Sequence, residues 1–424
     1  MTLRRKLFWV GLLYFAEGFP FGVIYDLLPV YFRSFGVDLK TIGLLSLLGM
    51  PWSLKVFWSP LVDALGERRH WMTACLATMG VVLACVPFFP TGEPPQLLWA
   101  LLLLFTICAA TQDIAIDAFT IGLMDKGEEG AANSLRVSAY RAALIVAGGG
   151  LVALAGIIPW SVLFWIGSAV FFALAIAAWR TPNLDLPPQS RPSLSALWKR
   201  PGRESWRQFF SGYQPLMVWF RRPTAVAVFA FILTYKLGDS SMGPMVKPFW
   251  LDRGLTPAEI GLISTTLGVF ATVAGSIVGG IFSMRFGIFH GLWALGLLQA
   301  LSNLGYAAAA HFGAPREAIY AASIFESFTG GMGTSAFLSF LMNVCDKQHA
   351  AVQYALLSAL FGFTRSLAGG ASGWATERLG YAPYFALTFL LAFPAYLLLP
   401  WVRTWIRERG APEGELGAKE GAPA

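Results

Sequence analysis

Residues 36–46 read GVDLKTIGLLS, and residues 254–264 read GLTPAEIGLIS. The two stretches lie 218 residues apart and keep two glycines, an isoleucine, a leucine and a serine in register. Each separates two long apolar runs. Two more matches follow in the same order. Gly66, after the second run, corresponds to Gly287 after the eighth, an offset of 221. SAYRAALIVAGGG around Arg141 corresponds to FGFTRSLAGGASG around Arg365, an offset of 224. Three matches in order indicate two related halves, with small insertions accumulating along the second.

The runs between the matches set the class. Of 424 residues, 56% are hydrophobic and 13% charged, about half the ~25% charged content of soluble domains. That leaves too little polar surface for a soluble fold of this length. About twelve apolar stretches reach the ~20 residues that a bilayer-crossing helix needs. They are too long, and alternate too little, for a membrane β-barrel. The expected fold is an all-α polytopic membrane protein, with twelve transmembrane helices in two pseudo-symmetric six-helix bundles. This is the major facilitator fold. Expected divisions are an N-terminal bundle over 1–179, a cytoplasmic linker over 180–223, a C-terminal bundle over 224–405 and a polar cytoplasmic tail over 406–424. Prolines from Pro182 to Pro215 among arginines mark the linker. Its Trp198, Trp206, Phe209 and Phe210 equally suit a segment lying on the membrane surface.

Net charge is +7, yet its placement excludes nucleic acid as the partner. Basic residues fill alternate loops: Arg4 to Lys6, Arg68 and Arg69, the linker, Arg285, then Arg403, Arg407 and Arg409. That bias puts both termini in the cytoplasm. One loop dissents, the net acidic Asp125 to Glu129. Cys75, Cys85, Cys108 and Cys345 are scattered, as are His70, His290, His311 and His349. No spacing suggests a metal, a cofactor or a disulfide framework. No small-residue cleavage site follows the first span, so it is expected to be retained.

Charge inside the spans follows a rule of three. The acids fall on the first, fourth, seventh and tenth: Glu17 and Asp26, Asp113 and Asp117, Asp239 beside Lys236, and Glu326. The basic residues Lys55, Arg136, Arg141 and Arg365 fall on the second, fifth and eleventh. A charge at bilayer centre costs ~2.5–3.5 kcal/mol on insertion scales, so it must face protein or water. Helices 1, 4, 7 and 10 are therefore expected to wall a polar cavity, with helices 3, 6, 9 and 12 facing lipid. That is a transporter's arrangement.

The densest segment is TQDIAID, residues 111–117, with Gln112, Asp113 and Asp117. The two aspartates stand one turn apart on one helical face. Depth along the helices matches Asp113 with Arg141, Asp117 with Arg136 and Glu326 with Arg365. Such pairs either lock helices together or serve substrate and protons. Lys236 and Asp239 read as a one-turn salt bridge. Glu17-Gly18-Phe19-Pro20 reads as a helix break, and Gly330-Gly331-Met332-Gly333 as a bend or an opening for bulky substrate. The glycine pairs 275/279 and 369/373 and the run 148–150 suit close helix packing. Asp63, Gly66, Arg68 and Arg69 resemble the loop motif of the major facilitator superfamily, a gate contact. The second half has Met284 where the acid would stand.

Several strings together resemble the AmpG family of muropeptide permeases. They are TIGLLSLLGMPWSLKVFWSPLVD in helix 2, ATQDIAIDAF in helix 4, YKLGDS in helix 7, FESFTGGMGTSAFLSFLMNVC in helix 10 and QYALLSAL in helix 11. The resemblance implies an inner-membrane permease that imports anhydro-muropeptides for cell-wall recycling. It further implies proton symport and a monomer among membrane lipids. Such a solute calls for aromatic platforms and cations, which Tyr14, Tyr25, Tyr140, Tyr235 and Phe325, with Arg141, Lys236 and Arg365, supply. Two alternatives stay open. One is a carrier of the same fold for a siderophore or acetyl-CoA. The other is a membrane-embedded enzyme using Asp26 and Asp239, against which stand Lys236 and the helices between them.

Overall fold

The computed structural model describes residues 1–59, 62, 67–92, 94–125, 128–182, 224–345 and 350–406. Asp63, Gly66, linker residues 183–223 and the tail from 407 lie outside these. In chain order the helical segments are α1 (Leu3–Ser34), α2 (39–57), α3 (Arg68–Phe88), α4 (Gln96–Leu123), α5 (Gly130–Leu154) and α6 (Trp160–Trp179). Then come α7 (Ala225–Asp252), α8 (Pro257–Phe286), α9 (Ile288–Phe312), α10 (Arg316–Val344), α11 (Ala350–Leu379) and α12 (Tyr381–Arg403).

Eight of these are long and apolar enough to cross a membrane. Helices α9, α10 and α11 have the length, at 25, 29 and 30 residues. They fall short on apolarity because they carry polar groups such as Gln299, Glu326 and Arg365. Segment α2 alternates α and 3-10 turns around Pro51, a proline that removes one backbone donor.

The repeated stretch is the same device built twice. Gly36 and Gly254 take φ of 80° and 75°, which glycine adopts without steric cost. A capping side chain follows each turn. Asp38 accepts from the Thr41 N–H, and Thr256 forms a reciprocal capping box with Glu259. Each cap satisfies backbone donors at a helix start.

Two expected irregularities are absent. α1 continues through Pro20 to Gly22 and then widens into a π-helical turn over Val23–Leu27. Gly18 serves packing instead of a break, since a Cβ there would lie 2.7 Å from the Tyr140 carbonyl oxygen of α5. α10 runs unbroken through its glycines. Its Gly331 backs onto the α8 main chain at Thr272 and Ser276.

α1 packs on α5, and α3 on α4 and α6; in the other half α8 and α9 pack on α10, and α7 on α11 and α12. The halves meet along α1 with α7, α2 with α11 and α5 with α8. A Cβ on Gly43 would lie 2.7 Å from the Gly373 nitrogen, and one on Gly261 would lie 2.5 Å from that of Ala153. Gly43 and Gly261 are equivalent positions of the repeated stretch. Arg33 clamps Asp252 across the halves through two bonds of 2.7 and 2.5 Å, and the Tyr381 hydroxyl donates to the same carboxylate at 2.7 Å. The seam therefore closes at the end holding residues 33–40 and 252–260. Toward the end holding the chain's start, Asp117 and Arg136 keep side-chain exposures of 34% and 43%.

Burial agrees with central places for α1 and α7. Their most apolar windows are 61% and 56% buried, against 22% for α8 and 33% for α12. α6, α9 and α12 present Trp165, Phe172, Trp293 and Leu397 outward, and α8 joins them with Phe270 and Ile277.

The dissenting acidic loop has a local reason. The Lys6 ammonium donates to Asp125 at 2.6 Å and Glu128 at 2.7 Å. The Lys6 hydrogen bond is the largest influence holding both carboxyls below the usual carboxylate range. A carboxylate depressed on folding stabilises above its unfolded pKa, and the contribution disappears as pH falls through the folded value. The clasp is thus constant from pH 6 to 8 and lost in acid, below about pH 4. Thermal unfolding of Lys6→Gln should show a small deficit at pH 7 that disappears at pH 3. A deficit that grows in acid would contradict this account.

Candidate functional site

The ionisable groups of the spans gather in three clusters. The first belongs to the N-terminal half. Glu17, Gln112 and Asp113 are buried at bilayer depth. The Lys55 ammonium of α2 is 3.4 Å from Asp113. One turn along α4, Asp117 accepts from the Tyr14 hydroxyl at 2.8 Å and faces Arg136 at 3.4 Å. The Arg136 guanidinium also lies 4.6 Å above the Tyr14 ring, a cation–π placement. One oxygen each of Glu17 and Asp113, and both amide atoms of Gln112, have no protein partner.

The second cluster belongs to the C-terminal half. Lys236 is 2% exposed. It donates to Gln299 of α9 at 2.7 Å and to the Gly330 carbonyl at 3.4 Å, and Asp239 lies 3.5 Å away. The Asp239 carboxyl in turn neighbours that of Glu326. Replacing Lys236 by methionine leaves two adjacent carboxyls without a cation. Breaking a buried pair from one side costs about 3 kcal/mol or more. The expected result is a clear fall in thermal stability, largely restored in K236M/D239N. No recovery in the double variant would show that Lys236 acts through packing.

The third cluster bridges the halves. Lys247 of α7 forms an ion pair with Asp26 of α1 and donates to the Tyr25 carbonyl at 3.1 Å. The Arg365 guanidinium of α11 lies 4.5 Å from the Tyr25 ring centre and 4.8 Å from that of Phe21. Trp52 and Tyr140 rings stand 5.8 and 6.2 Å from Phe21. Arg365 thus occupies an aromatic box and makes no ion pair among the described residues.

Several expected contacts take other forms here. Asp113 pairs with Lys55 and not with Arg141, and Glu326 meets Asp239 and not Arg365. Arg141 makes no ion pair among the described residues. Asp117 does meet Arg136, and Lys236 does meet Asp239. Asp26, which showed no partner in sequence, has Lys247. Tyr235 donates to the Leu292 carbonyl at 3.0 Å and stacks on Phe337, which makes it core and not platform. Of the gate motif, Arg69 pairs with Glu67 at 2.5 Å. Lys247, Gln299, Arg33 and Asp252 were missed. Lys247 and the two clamp residues sit near helix ends, where a charge needs no explanation, and Gln299 carries no charge.

The Major Facilitator Superfamily sequence model matches residues 10–237. The anhydromuropeptide permease of Escherichia coli (strain K12) is 32% identical over 392 residues, which is 91% of this chain and 77% of that protein. The chain belongs to the AmpG-type permease family of the major facilitator superfamily. The putative transporter AmpG 4 of Rickettsia conorii is 29% identical, covering 94% of this chain and 97% of the relative. Solved structures agree on the fold. A bacterial homologue of the human lysosomal transporter Spinster, inward-facing and unoccupied, aligns with a TM-score of 0.69 at 13% identity over 96% of this chain and 99% of its own. A POT family transporter with a thioalcohol-conjugated peptide aligns at 0.72 and 12% identity, covering 95% and 97%. Transporters of this superfamily hold their solute near the membrane midplane between the two halves. In this AmpG-type chain the Asp26–Lys247 pair and the contact of Arg365 with Phe21 and Tyr25 bridge the two halves.

Proposed function

We propose that this multi-pass membrane transporter imports anhydro-muropeptides across the bacterial cytoplasmic membrane, drawing on the proton gradient and working as a monomer. The observation that carries the substrate is the match along nearly the whole chain to a permease named for that solute. The Arg365 box supports it. An anhydro-sugar has an apolar ring face suited to Phe21, Tyr25, Trp52 and Tyr140. The attached acidic peptide has carboxylates suited to a guanidinium.

Loop arginines favour termini in the cytoplasm. With that orientation the glycine seam would face the periplasm, and its closure supports reading this as an inward-open stage of alternating access. Halves 1–179 and 224–405 would rock about the solute, joined by the linker 180–223, with Arg68 and Arg69 at the cytoplasmic gate beside Asp63 and Gly66. Coupling needs an acid whose cation the cycle withdraws. Lys55–Asp113 and Arg136–Asp117 lie within one half and move with it. Asp26 and Lys247 stand on opposite halves, so separation of the seam parts them. Asp26 is therefore the favoured coupling acid, ahead of Asp113, Asp117 and Glu326.

The test of the substrate is uptake into energised membrane vesicles holding the full chain. Labelled anhydro-disaccharide peptide should accumulate, and a ferric siderophore or acetyl-CoA should neither accumulate nor compete. Accumulation of either of those solutes alone would transfer the protein to another branch of carriers.

A further inference from the structure

We infer that the C-terminal half carries a binding site for the phosphate headgroup of an anionic membrane lipid, outside the solute pathway. A cavity of about 630 Å³ opens between the end of α8, the start of α9, α10 and the end of α12. Arg285 and Arg403 line it. Their guanidiniums rest over Phe286 and Phe289 at 5.5 and 5.4 Å, and neither makes an ion pair among the described residues. Ser283 also lines the cavity, is 6% exposed, and its hydroxyl has no partner. The corresponding turn of the first half satisfies Arg69 with Glu67. Here Met284 stands where the first half has Asp63, and among the described residues the two cations have no carboxylate.

Guanidiniums bind phosphate through paired N–H donors, and the first residues of α9 line the same cavity, which puts the positive end of its dipole there. The outer wall distinguishes the source of the phosphate. Met284 and Phe286 are 60% and 52% exposed, an apolar rim at the level where acyl chains leave their headgroups. A lipid satisfies cations and rim together, whereas a free phosphate satisfies the cations alone. Basic pockets between membrane helices suit anionic headgroups in this way.

The experiment is native mass spectrometry of the purified full chain titrated with phosphatidylglycerol, phosphatidylethanolamine or inorganic phosphate. One phosphatidylglycerol should bind in preference to phosphatidylethanolamine. R285Q/R403Q should weaken that binding about thirtyfold, each arginine contributing about fivefold. R4Q/R5Q, changed in a basic segment elsewhere, should leave it unaltered. If the double variant does not fold, R285Q and R403Q singly read the same quantity. Equal binding of the two lipids, or binding insensitive to both arginines, overturns the site. Displacement of the lipid by equimolar inorganic phosphate overturns the lipid as its occupant.

Discussion

Uptake by Arg365→Ala is expected to fall about a hundredfold at low substrate, since losing one partner of a buried charged contact costs 2–5 kcal/mol. The reason lies in what Arg365 touches. Its guanidinium lies over the adjacent pair of Phe21 and Tyr25 rings without a carboxylate among the described residues, so its charge is free to meet one on the solute. Arg365→Lys keeps the charge but loses the flat face that stacks on the rings. It should recover part of the activity, mainly through a raised KM. Membrane abundance and thermal stability should stay near wild type in both variants, because no protein ion pair is broken. The reading fails if Arg365→Ala transports normally, or if its loss follows its abundance.

Asp26→Asn is expected to abolish accumulation against a gradient while counterflow at equal solute on both sides persists. With the seam closed, Lys247 neutralises Asp26. When the halves part there, the aspartate loses its cation, and a proton from that side is the group proposed to take its place. Asparagine needs neither, so the cycle runs without a proton and without its driving force. Lys247→Gln should slow closure in addition, because it leaves Asp26 unpaired in the closed seam. The same pair of assays on Asp113→Asn, Asp117→Asn and Glu326→Gln discriminates the acids. If Asp26→Asn still accumulates solute and one of these does not, coupling belongs to that residue.

The division into halves was legible because the stretch at Gly36 and its copy at Gly254 carry their own instructions: a glycine turn, a capping side chain, an Ile-Gly pair. Those are local, and local chemistry survives without knowledge of the rest of the chain. The site was half legible. Counting residues along a helix gives depth, which sufficed for Asp117 with Arg136. It gives no direction across the bundle, and there Asp113 found Lys55 on α2 before Arg141 on α5. Contacts between the halves were illegible for the same reason. Nothing in the neighbourhood of Lys247 or Asp252 names a partner more than two hundred residues earlier. Pro20 misled because a proline in a helix reads as a break, whereas α1 stays helical through it and widens only beyond Gly22, into a π turn.

The closed seam is largely main chain on main chain at Gly43, Gly149, Gly261 and Gly373, tied at its rim by Arg33 and Asp252. That clamp is only partly shielded, with side-chain exposures of 21% and 29%. Dissolved ions reach it, and at about 1 M, where the screening length falls to about 3 Å, they weaken even a contact this short. With the proposed orientation, brine outside the cell would loosen the rim and leave the glycine contacts untouched. Time spent shut on that face then becomes a property shared between the carrier and the water around it. A cell moved between dilute and salty surroundings would alter the tempo of its own import without changing one copy of the protein.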